Sequence, residues 1–412
     1  MTTKTFTHHL RKGLGSAIIE LQTNPNREIY REIVLRACLF NIAYDPQVEG
    51  TKSWYLYTAI KTFEDTDYFL DAITEKFQKR LWSRLWWQVR DLVFLFARDG
   101  NRKALDAIDE KYNYLKNKLP KMKKFDWKYF EHQQIEDLMV FKIEMGGFDA
   151  FKQCADDINE MITINPNCVS YDEFLMHAEE KFGKEMVWEY IGESVIKKPP
   201  YTHEPPPIKI FKYGEFKKSA YEKDDSPYFS KSRGRAINFS RQATPEEFEK
   251  VANDIISEPD ENVKAKLLLT FRRVDFPLDI GLILPYALSG NDFLRESAAK
   301  VLSHFKDERV HDLATQLFER DVVNAVKLLK NNWETSDAAY IRKYVLRSKK
   351  IPHSVQTTLS EIADCGDILM HLYENGDCTY CRHKTIQAMI KNNIILDEWK
   401  YDSYEQTRRL II

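Results

Sequence analysis

Residues 292–319, "DFLRESAAKVLSHFKDERVHDLATQLFE", decide how this chain is read. An aliphatic–arginine pair, Leu294-Arg295, opens a helical pattern. The small residues Ala298 and Ala299 sit inside it, and Leu302 and Phe305 extend the same apolar face. A short turn and a second helix follow. The pattern also occurs 31 residues earlier, where Val263-Lys264 precedes Leu267, Leu268, Phe271 and Val274. It returns in "SVQTTLSEI", with Val355, Leu359 and Ile362, and again where Cys381-Arg382 precedes Thr385, Ile386 and Met389. Residues 322–350 fit it poorly. A period of about 30–45 residues built from helix pairs marks an α-solenoid.

On these residues the chain resembles the HEAT repeats. The likeness covers 244–412 and reaches 1–196 only as a helix-pair rhythm. It implies an all-α fold: an α-α superhelix, built as a right-handed stack of antiparallel helix pairs. HEAT proteins are mostly scaffolds and binding surfaces, and some are enzymes or nucleic-acid binders, so the resemblance implies architecture more than activity.

Toward the N-terminus the periodicity is helical almost throughout. "REIYREIVLRACLFNIAY" sets Ile29, Ile33, Leu35, Ala37, Phe40 and Ile42 on one face, and "LWWQVRDLVFLFARDG" does the same with Leu85, Val89, Leu92, Val93 and Phe96. Gly100 reads as a helix stop, Asp99 or Asn101 as a helix cap, and Ser170 with Glu173 as a capping box. Residues 197–241 interrupt the pattern with six prolines and a net charge of +6. Eight aromatics argue against a free tether. This segment reads as a strap docked through Phe211, Tyr213 and Phe216, with a short strand at "IKIFKY". The expected division is 1–196, a helical domain; 197–241, a basic linker or strap; and 242–412, the repeat domain.

The net charge of −2 over 412 residues gives no global attraction to nucleic acid or anionic membrane. No apolar run is long enough to span a bilayer. The opening "MTTKTFTHHLRKGLG" lacks the apolar core of a secretory signal, and six cysteines in so long a chain are not a disulfide framework. The expected compartment is cytoplasmic.

"GDCTYCRHKTIQAMI", 376–390, is the stretch closest to site chemistry. Cys378, Cys381 and His383, with Cys365 upstream, are the residues a zinc ion would use. On a helix, however, His383 points about 200° away from Cys381. Cys381 also falls at an apolar repeat position, so packing is the favoured reading, ahead of zinc and of redox chemistry, and no cofactor is implied.

Two further stretches are candidate surfaces. Asp45, Glu49, Lys52, Trp54 and Tyr55 crowd one inter-helix connection, where function concentrates on loops. Trp82, Arg84 and Trp86 interleave aromatic and cationic groups, as base-stacking surfaces do, and Arg233 and Arg235 lie in the basic strap. In both stretches core packing competes as an explanation. Nucleotide, metalloprotease and nucleophile-elbow motifs are absent. The leading expectation is a scaffold that binds a protein partner, more a binder than an enzyme. Two alternatives stand beside it: a HEAT-like nucleic-acid or nucleotide binder, and an enzyme with a site in the N-terminal helical half.

Overall fold

A computed structural model describes residues 1–122, 130–192, 194, 196, 211–226, 230–348 and 350–411. The described residues are helical with connecting turns and contain no strand. Three of the six residues expected as a strand, 208–210, lie outside the described residues, and Tyr213 at the end of that stretch begins a helix. No described helix is long and apolar enough to cross a membrane. The chain forms two compact units, Met1–His203 together with Leu396–Ile412, and Glu204–Ile395. The last stretch of the expected repeat domain thus belongs to the first unit.

The first unit runs α1 (Thr3–Lys12), α2 (Gly15–Thr23), α3 (Arg31–Leu39), α4 (Pro46–Glu49), α5 (Ser53–Ile60), α6 (Asp67–Gln78) and α7 (Ser83–Arg98). It continues with α8 (Arg102–Lys118), α9 (Glu131–Ile164), α10 (Asp172–Phe182) and α11 (Lys184–Ile191). Sequential helices pack on one another from α6 through α11. The break between α7 and α8 follows from local chemistry. Gly100 takes a left-handed φ of 82°, and the Asn101 side chain accepts the Ala104 N–H to start α8. Inside α9, Gly147 leaves helical geometry at φ 65° and kinks the helix. The C-terminal segment lies against α2, where Trp399 is fully buried. Gly15 permits that approach, since a Cβ there would stand 1.7 Å from the Glu398 carbonyl oxygen.

Two expectations fail here for physical reasons. α3 is short and buries Val34, Ala37 and Cys38, which leaves Ile29 and Phe40 beyond its ends and exposed. Ser170 does not cap α10. The buried Glu136 of α9 does, accepting the N–H groups of Glu173 (2.7 Å) and Phe174 (3.2 Å). Burial pushes the Glu136 carboxyl up to about 7, although these N–H bonds and the Ser170 hydroxyl favour its charged form.

The second unit contains α12 (Tyr213–Ala220), α13 (Ser230–Ser240), α14 (Pro245–Ser257), α15 (Glu261–Leu268), α16 (Asp292–Leu302) and α17 (Glu308–Leu317). Then come α18 (Val322–Leu328), α19 (Ala338–Tyr344), α20 (His353–Ile362), α21 (Gly366–Asn375) and α22 (Thr379–Lys391), while the first unit's closing segment carries α23 (Glu405–Arg408). The described part of the strap is helical and docked. Phe216 is buried and stacked on Phe239 at 4.5 Å, and the Tyr213 hydroxyl donates to Asp254.

α15, α16, α18, α20 and α22 start at residues 261, 292, 322, 353 and 379, and each packs on the next. Residues 322–350, which fit the sequence pattern poorly, still supply a member of this row. α18 is short, but it and its 3-10 extension bury Ala325, Val326, Leu328 and Leu329. Side-chain caps open three of the five helices: Asp260, Asn291 and Asp321 accept the first free N–H groups. Arg295 does more than a surface arginine would. Its guanidinium binds the Asp321 cap of α18 (2.8 Å), the Ser289 carbonyl (2.9 Å) and Asp292.

Leu302→Ala is expected to cost about 2–5 kcal/mol by opening a cavity in this shared core. Arg295→Ala should cost about 1–3 kcal/mol, because charge-assisted bonds to the next repeat are lost. Urea unfolding measures both, and hydrogen exchange should place the Leu302→Ala damage within Glu204–Ile395.

Glu136 gives a pH test. Its pKa in the fold lies above the ordinary value of 4.5, so the folded state holds the proton more tightly than the unfolded chain. Stability should therefore fall as pH rises from about 4.5 to about 7. Glu136→Gln keeps an accepting oxygen, so it should gain about 1–3 kcal/mol over the parent at pH 8 and little at pH 4, read by thermal melts.

Candidate functional site

The residues singled out in the first unit mostly fasten it together. Lys52 is buried, donates to the Arg11 carbonyl at 2.9 Å and stands 3.7 Å from Glu49. Glu49 accepts the Tyr44 N–H, and the Tyr55 hydroxyl donates to the Leu14 carbonyl at 2.9 Å. The Asp45 carbonyl accepts the N–H groups of Val48 and Glu49 where α4 begins. Trp86 is buried, stacked on Phe77, and its Nε1 donates to Asp137 at 2.8 Å. Trp82 and Arg84 remain exposed at the start of α7. With Trp86 turned into the core, these three do not form a stacking surface for bases.

Trp54 does reach a cleft. The cleft has a volume of about 880 Å³ and includes Arg90, Arg98, Asp137, Glu144 and Arg408 in its walls. The Arg408 guanidinium lies 3.8 Å from the centre of the Trp54 ring. The other two cations here are matched by carboxylates: Arg90 binds Asp91 at 2.7 Å and Asp137 at 2.6 Å, and Arg98 binds Glu144. Carboxylates thus pair two of its three arginines.

The second unit presents a different surface. A concavity of about 550 Å³ is lined by Arg233, Arg272, Arg295, Lys300 and Lys327, with Asp292, Glu296 and Asp321. Arg295 engages Asp292 and Asp321. Among the described residues, no carboxylate lies within 4.0 Å of the charged groups of Arg272, Lys300 or Lys327. Lys327 Nζ meets the neutral side chain of Asn324 at 2.7 Å. Burial pushes the pKa values of all three down. Neighbouring cations add to this: Arg233 acts on Arg272, Arg272 on Lys300, and Lys300 and Arg272 on Lys327, while Glu296 opposes at Arg272, Glu361 at Lys300, and Glu296 and Asp321 at Lys327. Three partly buried, mutually repelling cations in one concavity form an electrostatic arrangement that an anion would relieve.

Of the two basic-strap residues, Arg233 joins this pocket, while Arg235 turns to Glu222 at 2.7 Å. The other pocket cations come from the repeats and were missed. The signal for them was the repeat register itself, which places α16 and α18 side by side and so brings Lys300 near Lys327.

The cysteine stretch is also resolved. Cys378 is the N-cap of α22, and both Cys378 and Cys381 are buried. The third ligating side chain beside them is His353, the first residue of α20. The ligand atoms of His353, Cys378 and Cys381 lie within 4.8 Å of one another, the only such group of three among the described residues. Cys365 and His383 lie outside it: the Cys365 thiol is 3.5 Å from Asp364, and His383 Nε2 meets Gln387 at 3.1 Å. The helical geometry that turns His383 away is thus seen directly, and α20, packed against α22, supplies a histidine in its place.

The chain matches no protein-family model, no curated protein and no solved structure.

Proposed function

We propose that this chain is a HEAT-like α-solenoid, its repeats stacked as right-handed antiparallel helix pairs, and that it works as a scaffold binding a protein partner through an acidic or phosphorylated segment. The observation that carries this reading is the set Arg272, Lys300 and Lys327, three cations in one concavity without a carboxylate at ion-pair distance. In folding alone they are a liability, because burial and mutual repulsion both act against their charged forms. Against an anionic segment they become charge-assisted donors. The concavity is confined, and the chain's net charge is −2, which suits capture of a few phosphate or carboxylate groups better than the long cationic track of a nucleic-acid binder. The buried Trp86 leaves Trp82 alone of that tryptophan pair for stacking on bases, which weighs against the nucleic-acid alternative.

Fluorescence anisotropy with a phosphoserine-rich peptide, its unphosphorylated twin and a single-stranded oligonucleotide separates the readings. The phosphopeptide is expected to bind best, and the double variant Lys300→Ala/Lys327→Ala to weaken it by about tenfold or more, which is about 1.4 kcal/mol. Tighter oligonucleotide binding that the same variant removes would favour nucleic acid, and no binding of either would sink the proposal. Without ligand, Lys300→Ala should leave stability unchanged or raised by about 0–1 kcal/mol, since it relieves repulsion; a clear loss would assign Lys300 to packing instead.

A further inference from the structure

We propose that His353, Cys378 and Cys381 form a binding site for a zinc-like divalent ion, which ties the start of α20 to the start of α22. The geometry carries this. The three ligand atoms are within 4.8 Å of one another, and Cys381 Sγ stands 3.1 Å from Nδ1 and 3.6 Å from Nε2 of His353. Ligands sharing one tetrahedral zinc, with bonds of about 2.3 Å to sulfur and about 2.0–2.1 Å to nitrogen, stand about 3.5–3.8 Å apart. Either ring nitrogen reaches that separation with a small movement of an exposed side chain.

Local structure prepares the thiols. Cys378 is the N-cap and Cys381 the third residue of the first turn, so both sulfurs lie on one side of the helix start. Two thiolates and an imidazole are the soft and borderline ligands that zinc selects over magnesium or calcium. Each thiol gives up its proton on ligation, so up to two protons leave per ion bound. Three protein ligands leave a fourth position for water.

The same atoms fit a nucleophilic Cys–His pair less well. Cys381 has no exposed surface, which keeps a substrate carbon from its sulfur, whereas an ion can enter from the side of the exposed His353. This inference does not rest on the anion-binding proposal, and its test has a separate readout.

The test uses the full chain, reduced and freed of metal, titrated with Zn²⁺ and with Co²⁺ as a spectroscopic probe. One ion per chain is expected, with the visible absorption of tetrahedral Co²⁺ and a near-ultraviolet thiolate-to-cobalt band. His353→Ala, an exposed position whose loss leaves the core intact, should weaken binding by about tenfold or more, and Cys378→Ser should weaken the thiolate band, leaving only the share of Cys381. Cys365→Ser and His383→Ala should bind as the parent does. The proposal is overturned if the reduced parent takes up neither ion. It is also overturned if His353→Ala binds as tightly as the parent, or if the cysteines form a Cys378–Cys381 disulfide in air and bind no metal after reduction.

Discussion

In the second unit α15, α16, α18, α20 and α22 pack each on the next through their buried apolar residues, and the rest of that unit is arranged around this row. α16 shows the terms. Its buried residues are Leu294, Ser297, Ala298, Ala299, Val301 and Leu302, and it packs on both α15 and α18. Four of the six are Ser, Ala or Val, and small side chains let helices approach closely. A pair of short helices has too little apolar surface to offset the entropy of ordering its chain, so stability is shared along the row. Position in the row then fixes which polar residues meet: Arg295 of one helix reaches the Asp321 cap of the next.

That dependence explains what could be read from the sequence. Apolar spacing identified the helices, because the positions it singled out are buried: Val263, Leu294, Val355 and Cys381 are all in the core. Helix ends were legible where the chain carries its own punctuation, as at Gly100 and Asn101. They were not legible where a distant residue intervenes. Ser170 and Glu173 have the spacing of a capping box, yet the buried Glu136 takes those N–H groups. Residues 396–412 gave no sign that they belong with the first unit, because the signal is a close approach, the Glu398 carbonyl over Gly15, between residues far apart in sequence.

The two sites divide along the same line. Cys378 and Cys381 were visible as a motif because their spacing lies within one helical turn. Their partner was not visible, because His353 is 25 residues upstream and comes close only through the packing of α20 on α22. Arg233 stood out within a basic segment, but Arg272, Lys300 and Lys327 are scattered lysines and arginines in a chain with 61 of them. What sets them apart is a property of the folded state: they share one concavity, and among the described residues no carboxylate stands at ion-pair distance from any of the three.

The first unit supplies an internal comparison for that pocket. Its cleft also draws arginines into a partly buried concavity, and there Arg90 and Arg98 are met by Asp91, Asp137 and Glu144. The third arginine of that cleft, Arg408, lies over the Trp54 ring and donates to the Asp402 carbonyl. In the second unit Arg295, in the cationic pocket, is held by two carboxylates. Glu296 lines the concavity too, yet it forms no ion pair with Arg272, Lys300 or Lys327. An anionic partner of the kind proposed above would meet three such cations at once, and this contrast with the ion-paired Arg90 and Arg98 is what supports that proposal.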